Sequence, residues 1–427
     1  MQPKPKGSFI MLSCASWLRG LGAGAVLVFT GIAGAQAVTP LDKFHASFDQ
    51  VLTQHHIVGG AFGFVHAGDA PTEFYFGNAR QETHQKIDAR SAYNWASITK
   101  TMTAIAILQL RDRGLLKLDD PAVRYVPELR QVHDTFGPVD AITIRMLLSH
   151  SAGFRNPTWP WDCDSTPKCD WQPFEPTHWN QIDAMLPFTN IAFKPGSRWS
   201  YSNLGYVFLG QVIERLTGDD YEVYITKNIL MPLGMTSSYF DRSPYFLRPD
   251  VSASYLRAGD KITPQPFDFD SGITTSNSGL KAPIADMLKY ERLLVGDAKN
   301  PLYDIVLKRS SLEEAWKGIL PTGGAGMPTT YTGGPGGTVP MMGLGFFTLN
   351  VNGHRYVYHD GDQGGFTAEL MVDPDRHLGS IIMSNTTDTG APTETTHADP
   401  NAAPDPKTDL RMTLRDMLIR DVYPAMH

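Results

Sequence analysis

The sequence predicts a mixed α/β (α+β) fold, with one antiparallel sheet built from both ends of the chain. Two observations carry this. Alternating strand segments lie near residue 60 and again beyond residue 342, and the stretch between them reads as helices and loops. Helices at the two ends then cover the sheet, and a mainly helical region is inserted between the strand groups.

Residues 41–54 place apolar positions at helical spacing and predict a short helix. Gly60-Ala-Phe-Gly-Phe-Val-His66 and Thr72-Glu-Phe-Tyr-Phe-Gly77 predict two strands, joined by the Gly68-Asp-Ala-Pro71 turn. Ser97 to Gly114 is the strongest helical segment, rich in Ala, Ile, Leu and Met and ending at a glycine. Further helices are expected over 141–151, 203–217, 218–232 and 280–295. Residues 343–350 and His354-Arg-Tyr-Val-Tyr-His359 flank Asn352-Gly353, a strong hairpin cue. Thr367–Val372 and Leu378–Ser384 complete the strands, and 409–422 predicts a closing amphipathic helix. Residues 155–180, 321–340 and 387–407 read as irregular, the last two from their Gly-rich and Thr/Ala/Pro/Asp-rich composition.

With 42% apolar and 19% charged residues, the 427-residue chain can bury a sizeable core. Its formal charge of −7 and lack of any Lys/Arg-rich run argue against nucleic-acid binding. Lys4, Lys6 and Arg19, the apolar stretch from Leu21 to Gly34, and Ala35-Gln36-Ala37 read as a signal peptide cleaved after Ala37. The expectation is a periplasmic or secreted protein with no stable membrane span after cleavage; the alternative is an uncleaved anchor. Cys163 and Cys169 flank a short loop, which in an oxidising compartment fits a local disulfide. A metal site there needs two more ligands, and only His178 is near.

Three segments carry chemistry. In Ser97-Ile-Thr-Lys100, a spacing of three puts both side chains on one helical face. A serine hydroxyl is a poor nucleophile until a base takes its proton, and a lysine serves only where its neutral form is favoured. The start of a helix also turns backbone N–H groups toward developing negative charge. In Tyr201-Ser-Asn203, a tyrosine can relay a proton and an asparagine can hold a carbonyl. In His359-Asp-Gly361, the glycine lets backbone approach a ligand. Each of these is common by chance when taken alone.

Their order, Ser-x-x-Lys, Tyr-x-Asn, His-x-Gly, resembles the serine β-lactamase and penicillin-binding superfamily. It is most similar to the branch holding class C β-lactamases, D-alanyl-D-alanine carboxypeptidases, D-aminopeptidases and related esterases. Leu115-Leu-Lys-Leu-Asp-Asp-Pro121, Leu147-Leu-Ser-His-Ser-Ala-Gly153, Pro195-Gly-Ser-Arg-Trp-Ser-Tyr-Ser-Asn203, Met231-Pro-Leu-Gly-Met235 and His359-Asp-Gly-Asp-Gln-Gly-Gly-Phe366 extend the likeness from about residue 41 to the end. The resemblance implies a β-lactamase/transpeptidase-like fold. Residues 38–117 and 271–427 would form its sheet part and 118–270 its helical part.

The resemblance also implies roles. Ser97 would be acylated, and Lys100 and Tyr201 would share the proton transfers, with Tyr201 as base for the incoming water. His359 would tune Tyr201, and Asn203 would hold the acyl side chain. The N–H groups of Ser97 and Asp362, reached across Gly361, would cradle the oxyanion. No metal or organic cofactor is implied, and the partner is a small-molecule or peptide substrate with an ester or amide bond. Carboxypeptidase, true β-lactamase and a non-catalytic acyl-binding sensor are the rivals.

One departure bears on substrate. His-Asp-Gly replaces the Lys-Thr-Gly of true β-lactamases. The family pattern then expects Asp360 and Asp362 to face the ligand. At about 7 Å and an effective dielectric of about 20, either would repel a substrate carboxylate by roughly 2 kcal/mol.

Overall fold

The computed structural model describes residues 38–154, 176–265, 270–296, 302–323, 338–388 and 410–426. Residues Thr39–His427 form one compact unit. The expected signal peptide at 1–37 and the Cys163–Cys169 pair lie outside the described residues, as do 324–337 and 389–409.

Helix α1 (Pro40–Gln54) starts behind a reciprocal cap. The Thr39 hydroxyl accepts from the Asp42 N–H at 3.1 Å, and the Asp42 carboxylate accepts from the Thr39 N–H at 2.9 Å. Strands β1 (Gly59–His66), β2 (Thr72–Arg80), β3 (Gln85–Lys86) and β4 (Ala92–Asn94) follow, then the long helix α2 (Thr99–Asp112). The middle of the chain gives α3 (Ile144–Leu148), α4 (Trp179–Met185), α5 (Asn203–Thr217) and α6 (Tyr221–Ile225). It then adds a hairpin of β5 (Ser254–Ala258) and β6 (Lys261–Gln265), and α7 (Thr275–Ser278). Next come β7 (Lys281–Pro283), α8 (Ile284–Val295), α9 (Leu302–Val306), α10 (Arg309–Ala315), β8 (Leu320–Pro321) and β9 (Met341–Met342). The chain closes with β10 (Phe347–Val351), β11 (His354–Gln363), β12 (Phe366–Asp373), β13 (Leu378–Ser384), β14 (Thr386–Asp388) and α11 (Leu410–Met417).

Among the described residues the main sheet has nine strands, in the order β3-β2-β1-β13-β12-β11-β10-β9-β8. Its pairings are antiparallel. β1, from the start of the chain, lies beside β13, from near its end: Gly60 opposes Ser384 and Phe64 opposes Ser380. Both chain ends therefore build one sheet, as the strand pattern predicts. Alternation sends Phe62 and Phe64 of β1, Tyr356 and Tyr358 of β11 and Met371 of β12 to one face, under α1 and α11. Ala61, Val65, Val357, Ala368 and Leu370 join the core on the other face, with α2 and α8. Helix α2 is surrounded by this second core, and every residue from Thr99 to Leu110 is buried.

The structure departs from the periodicity in several places. Residues 281–283 pair with β4 as a strand before α8 begins, so the expected 280–295 helix is shorter. Residues 343–346 turn instead of extending, with Gly345 at φ +81°; a Cβ there would stand 2.5 Å from that of Ala104. The expected 141–151 helix shrinks to α3, and 218–232 divides into α6 and one π-helical turn, Thr226–Leu230. The β5–β6 hairpin interrupts the helical middle. It packs on the sheet's outer turn: a Cβ on Gly365 would stand 2.7 Å from the Tyr255 backbone nitrogen.

The face under α11 holds buried charge. Asp360 of β11 directly opposes Glu369 of β12. Two carboxylates so placed repel. Arg415 of α11 pairs with both, its Nε 2.7 Å from Glu369 Oε2, and its guanidinium lies 4.2 Å from the centre of the Tyr358 ring. Removing the cation leaves two buried carboxyls without their counter-charge. Arg415→Met is expected to lower unfolding free energy by about 3–5 kcal/mol in urea denaturation. Arg420→Met, which breaks an exposed pair with Asp421, should cost no more than about 1 kcal/mol.

Candidate active site

Ser97 sits in a single 3-10 turn, Ala96–Ile98, that runs directly into α2. The residue before it, Ala96, has φ +46°, a left-handed value uncommon for a residue with a side chain. Asn94 braces the turn. Its side-chain carbonyl accepts from the Ala96 N–H at 2.7 Å, and its amide donates to Gln363 Oε1 of β11 at 3.3 Å.

Lys100 lies one turn on and is fully buried. Its Nζ donates to Ser97 Oγ at 3.0 Å and to the Asn277 carbonyl at 2.9 Å. Thr103, a turn further, donates to the Ser276 carbonyl at 2.7 Å, so α7 and the inner face of α2 are joined at two carbonyls.

Tyr201 ends the extended segment before α5 and is buried. The Lys100 Nζ stands 4.8 Å from the centre of its ring. Asn203 opens α5 two residues later and is half-buried. The helix is anchored there by Ser202, whose hydroxyl accepts from the Gly205 N–H at 3.0 Å.

His359 and Gly361 point from β11 toward this cluster. The His359 ring lies 6.4 Å from the Tyr201 ring and 5.3 Å from that of Phe347. A Cβ on Gly361 would stand 2.5 Å from the Trp95 carbonyl oxygen, so only glycine lets β11 come this close to the turn carrying Ser97. The His359 Nδ1 is 2.6 Å from the Asp360 carbonyl. A carbonyl only accepts, so the ring proton is assigned to Nδ1, leaving Nε2 as the bare nitrogen. Burial, reinforced by the nearby Lys100, lowers the His359 pKa to about 4.

Asp360 and Asp362 are placed differently from the expectation. By alternation along β11 they face away from His359 and Gly361, toward α11. Asp360 pairs with Arg415 and Asp362 with Arg411; Asp362 also accepts from the Thr367 hydroxyl at 3.1 Å. Their charge is matched on the far face of the strand. The repulsion expected against a substrate carboxylate is therefore withdrawn.

Ser97, Lys100, Tyr201 and His359 thus converge from three segments distant in sequence. Two participants carry no role in the sequence motifs. Asn277 contributes only its backbone carbonyl, which no side-chain pattern marks. His150 packs 4.4 Å from the Tyr201 ring, and its motif gave a likeness without a function. Among the described residues, no group of three or more His, Cys, Asp or Glu side chains could hold a metal ion. No described helix is long and apolar enough to cross a membrane.

A family model described as Beta-lactamase matches residues 44–418. The chain belongs to the beta-lactamase family. Among curated relatives it is similar to Protein flp of Staphylococcus aureus (strain COL), 25% identical over 334 residues, which cover 78% of this chain and 61% of the relative. The chain thus spans about three fifths of the length of the first curated relatives it matches. Among solved structures, the octameric penicillin-binding protein homologue from Pyrococcus abyssi superposes with a TM-score of 0.69 at 24% identity, over 89% of this chain and 77% of the other. A class C beta-lactamase superposes with a TM-score of 0.68 at 18% identity, over 91% and 98%. At these identities the superpositions speak for the fold. Family membership supports a serine-hydrolase-like function.

The buried histidines give this beta-lactamase-family protein a stability signature. Above pH 6.5 both His150 and His359 are neutral, folded or unfolded. Between pH 6.5 and about 4 the unfolded chain binds protons that His359 in the folded chain refuses. Stability therefore falls as pH falls through that window, by roughly 3 kcal/mol from this residue, and levels off below it. The His150 pKa is also lowered, by burial and then by Lys100 and His359, and acts in the same direction. Urea midpoints across this range should drop less steeply for His359→Gln than for the native protein.

Proposed function

We propose that the protein is an exported serine hydrolase that cleaves an ester or amide bond through an acyl-enzyme on Ser97. The observation that carries this reading is the 3.0 Å contact between Lys100 Nζ and Ser97 Oγ inside the core, beneath the Tyr201 ring. Export rests on the sequence of residues 1–37, with its positive start, apolar stretch and small-residue cleavage site.

A buried amine is easier to hold neutral than an exposed one. A neutral Lys100 takes the Ser97 proton as the oxygen attacks the substrate carbonyl. Charge then builds on the carbonyl oxygen, between the N–H groups of Ser97 and Asp362. Collapse expels the alcohol or amine, which receives the proton. Tyr201 passes its proton to Lys100 and, as phenolate, takes a proton from water as the water attacks the acyl-enzyme. Lys100 then returns a proton to the Ser97 oxygen as the acyl bond breaks, and Ser97 is regenerated. Asn203 holds the acyl side chain.

The neutral His359 bears on substrate. True β-lactamases carry a lysine at this motif position, whereas His359 is uncharged at pH 7. It offers no charge-assisted bond to a substrate carboxylate, an interaction worth about 1.5–3 kcal/mol. Neutral esters and amides are therefore the favoured class, ahead of β-lactams and D-Ala-D-Ala peptides.

Two measurements test this reading. Ser97→Ala should fold normally and form no covalent adduct with a fluorophosphonate, while Tyr201→Phe should lower kcat by roughly 10²–10⁴-fold. An adduct on folded Ser97→Ala would remove the nucleophile assignment. In a panel of nitrophenyl esters, D-amino-acid amides, D-Ala-D-Ala peptides and nitrocefin, a free acid should show no advantage over its methyl ester in kcat/KM, whereas a charge-assisted bond would favour the acid by about tenfold or more. Preference for the free acid would favour the carboxypeptidase or β-lactamase reading instead.

A further inference from the structure

His150 stands at the end of α3, far in sequence from Ser97, Lys100, Tyr201 and His359, yet it meets the Tyr201 segment at three points. Its backbone carbonyl accepts from the Ser200 N–H at 2.8 Å. Its ring Nδ1 accepts from the Ser202 N–H at 3.0 Å. Its ring face packs 4.4 Å from that of Tyr201, tilted by 30°. The N–H groups of the residues before and after Tyr201 are thus fixed by one residue, and the phenol ring between them rests on that residue's imidazole.

The backbone of His150 is held in an unusual state to do this. Its φ is +53°, in the left-handed region that a β-carbon disfavours. Such conformations persist only where the surroundings over-determine them, and they cluster at functional sites. The neighbours supply that constraint. The Leu148 carbonyl accepts from the Tyr206 hydroxyl at 2.9 Å and from the Gly345 N–H at 3.1 Å, and the Ser151 carbonyl accepts from the Gly196 N–H at 2.7 Å.

The ring must also be neutral. An Nδ1 that accepts from a backbone N–H has no proton of its own, so the ring proton is on Nε2. Protonating the ring would set two N–H groups against each other at Ser202. Burial and the adjacent Lys100 hold the His150 pKa well below its ordinary value, which protects the acceptor.

We infer that His150 is a positioning residue, whose carbonyl and ring nitrogen clamp Ser200 and Ser202 and so fix the Tyr201 hydroxyl for proton transfer. The catalytic part rests on the role proposed for Tyr201; the clamp itself rests on geometry alone. The two can therefore fail separately.

The test uses the whole protein with His150→Phe, which keeps a ring and loses the acceptor, and His150→Asn, which restores an acceptor oxygen near the Nδ1 position. Hydrogen exchange followed by mass spectrometry reads the segment 199–203. It should exchange faster in His150→Phe and return toward native rates in His150→Asn. Burst kinetics with a nitrophenyl ester then separate acylation from deacylation. His150→Phe should slow deacylation by about 10–100-fold, the scale of a catalytic group misplaced by roughly an ångström, with a smaller effect on acylation. In a Tyr201→Phe background the same substitution should change little more. Unchanged exchange in His150→Phe would overturn the clamp whatever Tyr201 does. Equal slowing of both steps, or effects that multiply fully with Tyr201→Phe, would overturn its link to Tyr201. Normal deacylation by Tyr201→Phe alone would instead overturn the role of Tyr201, and with it this residue's catalytic consequence.

Discussion

The site depends on how closely β11 approaches the turn that carries Ser97. At Gly361 the strand backbone passes the Trp95 carbonyl with no room for a Cβ. The contact brings His359 and Gly361 to one side of β11, beside the Lys100–Tyr201 pair. Because strand side chains alternate, the same contact turns Asp360 and Asp362 to the opposite face. That face is core, and isolated carboxylates are costly there. Arg415 and Arg411 on α11 supply the matching charge. A constraint at one glycine thus sets the chemistry of a helix on the other side of the sheet.

Ser97 and Lys100 are placed by burial on all sides. A surface helix would leave a lysine amine in water, charged and mobile. Helix α2 is enclosed from Thr99 to Leu110, and Lys100 finds the Ser97 hydroxyl and the Asn277 carbonyl within that enclosure. The enclosure comes from the second half of the chain as much as from the first. α7 supplies carbonyls, and the Thr99 hydroxyl accepts from the Leu280 N–H at 3.1 Å. Folding of both halves is therefore a condition for the Lys100–Ser97 contact to form.

Much of this was legible in the sequence, for physical reasons. The helix expected over 203–217 matches α5, whose start the structure caps with Ser202 and whose end meets Gly218 in a left-handed conformation. The strands β12 and β13 announced themselves through apolar runs bounded by turns. Short strands such as β4 and β7 did not, because three residues carry no period and their partners are far apart in sequence: Tyr93 opposes Ala282, and the Trp95 Nε1 donates to the Ala282 carbonyl across 187 residues. The site motifs were legible as residues but not as directions. The family pattern turned Asp360 and Asp362 toward the ligand, and only the strand register and the position of α11 show which way they point. His150 was hidden for another reason: its contribution lies in a backbone angle and a backbone acceptor, neither of which a residue name records.

The electrostatics around Tyr201 follow from the same enclosure. Three basic nitrogens, on Lys100, His150 and His359, surround one phenol. Each charge in so small a space raises the cost of the next. Burial and the Lys100 field depress both imidazoles, and His150 Nδ1 can accept only while its ring is neutral. Their tautomers differ because their backbone partners differ: a carbonyl at His359 Nδ1, an N–H at His150 Nδ1. His359 therefore presents a bare Nε2 and His150 an Nε2–H. Protonation would break the His150–Ser202 bond, whereas His359 could take a proton on Nε2 and keep its bond to the Asp360 carbonyl, so it is the lowered pKa of about 4 that holds this second imidazole neutral beside Tyr201.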